Sequence, residues 1–272
     1  MSVITVTVGN YTYDETQIII NPTISKSICS GGFSVGNTAC GCLKVGVPNN
    51  GHSEGTSVKI SYGGQQIMGE FFISDIEKCG YAKLRPTDTY KTQMVMLTCY
   101  DGMSKLDDYM SFDLTTVTPA DICDEIESQT GYLFENGSKL GSSFEVTKEE
   151  AESRTMREWL GIFGCYVGCN WSLRTYWLND TLVSRITQLP LYYSGYSFSA
   201  IINAPVTVEN AVTFSRVVSR GKDGTFKSGT DSDYTLEISC QYATQNSNDI
   251  IQSNIENQAV PYTAFKCSVL AP

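Results

Sequence analysis

Between Gln93 and Asp108 the chain reads QMVMLTCYDGMSKLDD, an apolar, β-prone run that ends on Tyr100 and turns at Asp101-Gly102 into a short polar segment, Met103–Leu106. Two capped helix signals and an aromatic hairpin follow in that order. Any fold for this chain must therefore join a strand-built unit to a helical one just past residue 101. The expected class is α+β, mainly β, with two small antiparallel β-barrel-like units flanking a compact α/β unit.

The N-terminal strands are legible from period-2 alternation. Ile4, Val6 and Val8 alternate with Thr5 and Thr7, and Gly9-Asn10 leads into Tyr11–Tyr13, a hairpin signal. Ser30-Gly31-Gly32 breaks the next segment. Ala39–Val47 then reads as a strand with Leu43, Val45 and Val47 on one face, ended by the loop Pro48–Gly51. Ser57–Tyr62, the Gly63-Gly64 turn and Ile67–Ile76 predict a second hairpin, and Gln93–Tyr100 a further strand. Residues 1–107 thus form the first expected unit, a small antiparallel barrel or sandwich.

The pattern changes at Thr118-Pro-Ala-Asp121, which places an N-cap, a first-turn proline and an early acid before Ile122 and Ile126. Gly131 reads as the stop. Thr155-Met-Arg-Glu158 is a capping box, and Met156, Trp159, Leu160 and Phe163 follow at helical spacing up to Gly164 or Gly168. Trp171–Leu178, the Asn179-Asp180 turn and Thr181–Ile186 predict an aromatic hairpin. Residues 108–190 are the α/β unit. From 191 to 272 strands return at Val206–Val208, Ala211–Val218 and Tyr234–Cys240, with a turn at Asp223-Gly224. Gln245–Ala259 carries Ile250, Ile251 and Ile255 at helical spacing, and Phe265, Cys267 and Val269 alternate beyond Pro261. The end at Leu270-Ala271-Pro272 reads as a truncated second barrel.

Composition narrows the functional classes. The formal charge is −10 with a pI near 4.6, and no Lys/Arg cluster stands out, so sequence-specific nucleic-acid binding is not expected. No run approaches the roughly 18 apolar residues of a membrane span, and the N-terminus does not read as a secretory signal. The ten cysteines are accordingly read as reduced, mostly buried thiols.

Each chemical candidate has a plainer reading. His52, the sole histidine, lies in a Gly-rich loop with no nucleophile in a recognisable turn, and reads as a solvated loop residue. Cys40 and Cys42, with Cys165 and Cys169, would supply four thiolates to zinc, but neither spacing is a zinc knuckle. They read as a strand face and a helix end. Glu149, Glu150 and Glu152, like Asp121, Asp124 and Glu125, sit where acids favour helix starts rather than a hydrolytic pair. Asp231, Asp233 and Glu237 lack the EF-hand glycine and spacing. Tyr166, Trp171, Tyr176, Trp177, Tyr192, Tyr193 and Tyr196 suit core packing, sugar stacking or a protein partner, and Leu189–Phe198 an oligomer interface. No residue is assigned a catalytic, ligand-binding or metal role, no cofactor is expected, and the chain is not read as an enzyme.

The order of motifs resembles a known family. Phe33–Gly36 before Ala39-Cys40, Gly69–Ile73, Leu97–Met103 with Lys105–Asp107, Thr118–Ile122, Thr155–Leu160 through Gly164, and Arg174–Trp177 look like the N-terminal part of phage tail-tip proteins. These are the baseplate-hub proteins, tail-associated or tail endopeptidase-like, of phages and prophages of Gram-positive bacteria. The resemblance implies a structural virion protein at the tail tip, assembled in the bacterial host cytoplasm. It implies a homotrimer in which two barrels per subunit make a pseudo-sixfold ring on the tail tube. The implied partners are the tail tube, distal tail proteins and the tape measure protein. Family members usually continue past the point where this chain ends, into a peptidase, lysozyme or fibre region. Two other classes stay open on sequence: a carbohydrate-binding tail adhesin, and the non-catalytic N-terminal region of a tail-associated cell-wall hydrolase.

Overall fold

The computed structural model describes residues 4–27, 35–190, 201–203, 214–231, 234–256 and 268–269. Its elements in chain order are β1 (Ile4–Val8), β2 (Tyr11–Tyr13), β3 (Ile20–Ser27), β4 (Thr38–Pro48), β5 (Ser57–Tyr62), β6 (Gln65–Gln66), β7 (Phe71–Ala82) and β8 (Thr92–Asp101). A 3-10 turn, Gly102–Asp107, leads to β9 (Thr116–Val117), α1 (Pro119–Thr130), β10 (Leu133–Phe134), β11 (Val146–Thr147), α2 (Lys148–Glu152), α3 (Met156–Val167), β12 (Cys169–Leu178) and β13 (Thr181–Pro190). Then come β14 (Ile201–Asn203), β15 (Arg216–Gly221), β16 (Gly224–Gly229), β17 (Thr235–Ser239), α4 (Gln245–Glu256) and β18 (Ser268–Val269). The class is α+β, mainly β. No described helix is long and apolar enough to cross a membrane.

The first eight strands build one curled sheet. Its order runs β4-β8-β7-β5-β1-β2, with β3 on the other side of β4 and β6 on β5. Val6, Tyr13, Ile18, Leu43, Val45, Val58, Phe71, Val95 and Leu97 all converge on one core, so the inward face of every main strand is the same face. Lys44, between Leu43 and Val45, points out. The end strands β2 and β3 are joined by Asp14–Ile19 but do not pair, so among the described residues the sheet stays open where a barrel was expected. Turn chemistry fixes the hairpins. Gly9 takes φ +56 at the first position of its two-residue loop. Asn179 and Asp180 take φ +48 and +61, the mirror-image turn that matches the twist of β12 and β13.

One expected strand and one expected turn move. In the run Ile67–Ile76 residues 67–70 are not strand, and β7 starts at Phe71 and continues to Ala82, with register shifts at Ile73/Asp75 and Lys78/Gly80. The Asp223-Gly224 turn is centred instead on Lys222-Asp223, because Gly221 pairs with Gly224, which opens β16. Ser30–Gly32, Val206–Val208, Phe265 and Cys267 lie outside the described residues, as does all of Leu189–Phe198 beyond Pro190.

Both helix starts follow their local chemistry. Thr118 and Asp121 form a reciprocal capping box with Pro119 in the first turn, and Gly131 closes α1 at φ +73. Thr155 and Glu158 do the same for α3, which passes through Gly164 and stops at Gly168. The segment Met103–Leu106 is polar only in part. Met103 and Leu106 are fully buried and open a second core.

That second core is the larger one. Trp159, Trp171, Phe163, Ile122, Ile126 and Ile186 meet Val217, Ile238, Tyr242, Ile251 and Ile255, so residues on both sides of position 190 share it. In it β15 lies between β16 (antiparallel) and β17 (parallel), and α4 packs across them. Buried Asn248 pins α4 there, accepting from Ser219 Oγ at 2.7 Å and donating to Ser228 Oγ at 2.6 Å and the Val217 carbonyl at 3.3 Å. The two cores are bridged where Trp171 and Ser172 pair in parallel with Thr38 and Ala39, which adds the β12–β13 hairpin to the first sheet.

Candidate functional site

Asp101 stands at the join of the two cores. Its carboxylate is buried beside β4: Oδ2 accepts the Gly41 N–H at 2.8 Å, while Oδ1 accepts the Met103 N–H at 3.1 Å and faces Cys40 Sγ at 3.4 Å. The first bond ties β8 to β4, and the second caps the 3-10 turn. A cleft of about 170 Å³ opens beside it, lined by Ile24, Ile67, Met68, Phe71 and Leu173. Both carboxylate oxygens already serve the backbone, so the group organises the chain path. Asp101→Asn turns an amide N–H₂ toward one of two backbone donors, and we expect a loss of about 1–3 kcal/mol in urea unfolding.

His52 is half-buried rather than solvated. It packs edge-on to Tyr11 and Tyr13 with centroids 5.8 and 5.9 Å away. Its Nε2 lies 2.9 Å from Tyr13 Oη and 3.2 Å from the Pro48 carbonyl. Burial holds its pKa below the usual 6.5, against the opposing pull of Pro48. Between the folded value and 6.5 the unfolded chain takes up a proton that the folded chain does not, so stability falls as pH drops through that window. Chemical unfolding at pH 7 and pH 5 should show this fall, and His52→Gln should flatten it.

The other candidate groups are dispersed and engaged. None of the eight described cysteines is paired in a disulfide. Burial raises the thiols of Cys99 and Cys123 to about 12 and Cys165 to about 11, which keeps them protonated at neutral pH. Among the described residues no three His, Cys, Asp or Glu side chains gather into a metal-holding group. Glu150 accepts from Tyr242 Oη at 2.6 Å and from Gln241, and Glu152 accepts the Phe112 N–H at 2.8 Å. Asp121 is held in its capping box, Asp124 pairs with Lys139, and Gln129 donates to Glu125 at 2.6 Å. Glu149 is left exposed in the first turn of α2. Asp231 pairs with Arg216, and Glu237 with Arg220 at 2.9 Å; Asp233 lies outside the described residues. Trp171 is core and Tyr166 packs on Phe144, whereas Trp177 is 44% exposed beside the hairpin turn.

The surface holds one feature that the acidic net charge conceals. Lys78, Lys83, Arg85 and Lys91 are all exposed on the β7–β8 hairpin, with Asp88 as the one acid between them. Tyr81 and Tyr90 are 67% and 85% exposed on the same hairpin. Counting charge over a short window would have found it, because three of these cations fall within residues 83–91.

The molecule so described is a curled antiparallel sheet extended by a hairpin and covered at one end by a helical layer, a fold that has counterparts among solved structures. A prophage MuSo2 43 kDa tail protein from Shewanella oneidensis superposes with a TM-score of 0.54 at 13% identity, covering 94% of this chain and 79% of that one. A tail protein from Neisseria meningitidis MC58 gives 0.51 at 13% identity, over 92% and 74%. At such identities the likeness is one of fold. No protein-family model and no curated protein matches the sequence.

Proposed function

We propose that the chain is a structural phage or prophage tail protein, and within the tail a hub subunit at the tip. One observation carries this reading: nearly the whole chain follows the fold of two solved tail proteins. The motif order from Phe33 to Trp177 supports it independently. In this reading three copies form a ring on the end of the tail tube, residues 1–107 and 191–272 supply its walls, and 108–190 project outward. The tape measure protein and distal tail parts are its neighbours in the virion. The net charge of −10 suits a wall past which DNA moves without sticking. The organising roles of Asp101, Glu150 and Glu152 also favour assembly over catalysis.

Sedimentation of the purified chain together with negative-stain microscopy tests the reading. Threefold rings of trimer mass are expected. A monomer with glycan-array binding would replace the hub by an adhesin, and peptidoglycan clearing on a zymogram would replace it by a hydrolase.

A further inference from the structure

The β7–β8 hairpin places a cationic, aromatic tip on an otherwise acidic chain. The outer half of β7 pairs with β8 alone, and Asp75, Glu77, Lys78, Cys79, Gly80 and Tyr81 are exposed. Arg85 is within electrostatic reach of Asp14, while Lys78, Lys83 and Lys91 form no ion pair among the described residues. At the other end of β8, past Asp101, residues 107–114 hold Asp107, Asp108 and Asp113 and no base. They lie against the segment of Glu145 and Glu149, since β9 pairs with β11 and Glu152 accepts the Phe112 N–H. Asp107 is engaged by Arg157, but Asp108, Asp113, Glu145 and Glu149 are exposed and hold no ion pair among the described residues. Tyr109 and Leu114 stand out beside them, 62% and 49% exposed.

The two surfaces match in charge and in apolar content, yet one chain cannot bring them together. The ten residues of β8 separate them by about 30 Å at roughly 3.3 Å per residue. We propose that the hairpin tip of one copy docks on the acidic end, residues 107–114 with Glu145 and Glu149, of a second copy, a head-to-tail contact that rests on the reading of the chain as a ring subunit. Such a contact uses different surfaces on its two sides, so it propagates around a ring when the rotation closes. The tyrosines supply buried area, and the lysines supply steering and register.

Charge swapping on the full chain tests it. The K78E/K83E/K91E variant and the D108K/D113K/E149K variant should each self-associate roughly tenfold or more weakly than the wild type by sedimentation, and wild-type association should weaken with salt. Mixed in equal amounts, the two variants should associate again, because each restores the other's complement, which a misfolded variant would not do. Failure of the mixture to associate overturns the contact, as does a wild type that stays monomeric at millimolar concentration. A threefold ring indifferent to both reversals overturns the contact and leaves the hub standing. A wild type that forms open chains or pairs keeps the contact and overturns the ring, whereas the mixed variants, which must alternate, form pairs or open chains in either case. A monomer whose hairpin binds a DNA oligonucleotide, lost in K78E/K83E/K91E, assigns the tip to a polyanion and overturns the proposal.

Discussion

Trp171→Ala should lower stability by about 3–5 kcal/mol and the melting temperature by roughly 10 °C in calorimetry. The side chain is fully buried and sits where three parts of the molecule meet. Its indole Nε1 donates to the Leu160 carbonyl of α3 at 2.6 Å, and its ring stands edge-on to Phe134 at 5.8 Å. Its backbone N–H donates to the Asn37 carbonyl at 2.7 Å, next to the short parallel pairing with β4. Truncation leaves a cavity lined by a helix, a strand and β10, none of which can collapse into it without shifting the others. Only two register pairs join β12 to β4, so the loss should also loosen the bridge between the cores. Hydrogen exchange of the Trp171 and Ser172 amides would then rise above that of Leu43 and Val45.

How far the sequence speaks for this fold depends on the range of the physics involved. Helix starts at Thr118 and Thr155 are legible because a cap and its partner are three residues apart, and the turn at Asn179-Asp180 because two adjacent residues must tolerate positive φ. The helix α4 is signalled by Ile251 and Ile255, and its start is set by Thr244, whose hydroxyl accepts the Ser247 N–H at 3.1 Å. What the sequence hides is set across long separations. Nothing near Thr38 announces a parallel partner at Trp171, and nothing near Leu106 announces that it is buried. The break after Gln66 is equally silent locally. A Cβ on Gly69 would lie 2.8 Å from Thr175 Oγ1 and 3.0 Å from Ser184 Oγ, so distant strands shape that segment. The candidate site groups divide the same way. The acids at helix starts were readable as such, whereas the partners of His52 come from Tyr13 and Pro48, and those of Glu150 from residues 241 and 242. The cationic hairpin was present in composition but diluted by the acidic total.

Gly164→Ala should cost about 2–3 kcal/mol, although in an isolated helix the same change would gain about 1 kcal/mol. A glycine inside α3 weakens the helix through backbone entropy, so its presence calls for a contact that no side chain permits. The structure supplies that contact. A Cβ at 164 would lie 2.6 Å from the Cys169 carbonyl oxygen and 2.6 Å from Gly36 Cα, both backbone atoms without a rotamer to yield. Gly36 completes the arrangement from the other side. It takes φ +80, donates its N–H to the Cys169 carbonyl at 2.9 Å, and would carry a Cβ only 2.4 Å from the Gly161 carbonyl. Backbone therefore rests on backbone where α3 crosses the entry to β4, and this holds Trp171 under the helix. Gly161→Ala separates the two effects. Its Cβ would meet the Gly36 carbonyl at 3.4 Å, an ordinary contact. That variant should be neutral or more stable by up to about 1 kcal/mol. Denaturant midpoints that fall for Gly164→Ala and hold or rise for Gly161→Ala would fix close approach as the reason. Equal shifts in both would assign the effect to helix propensity instead.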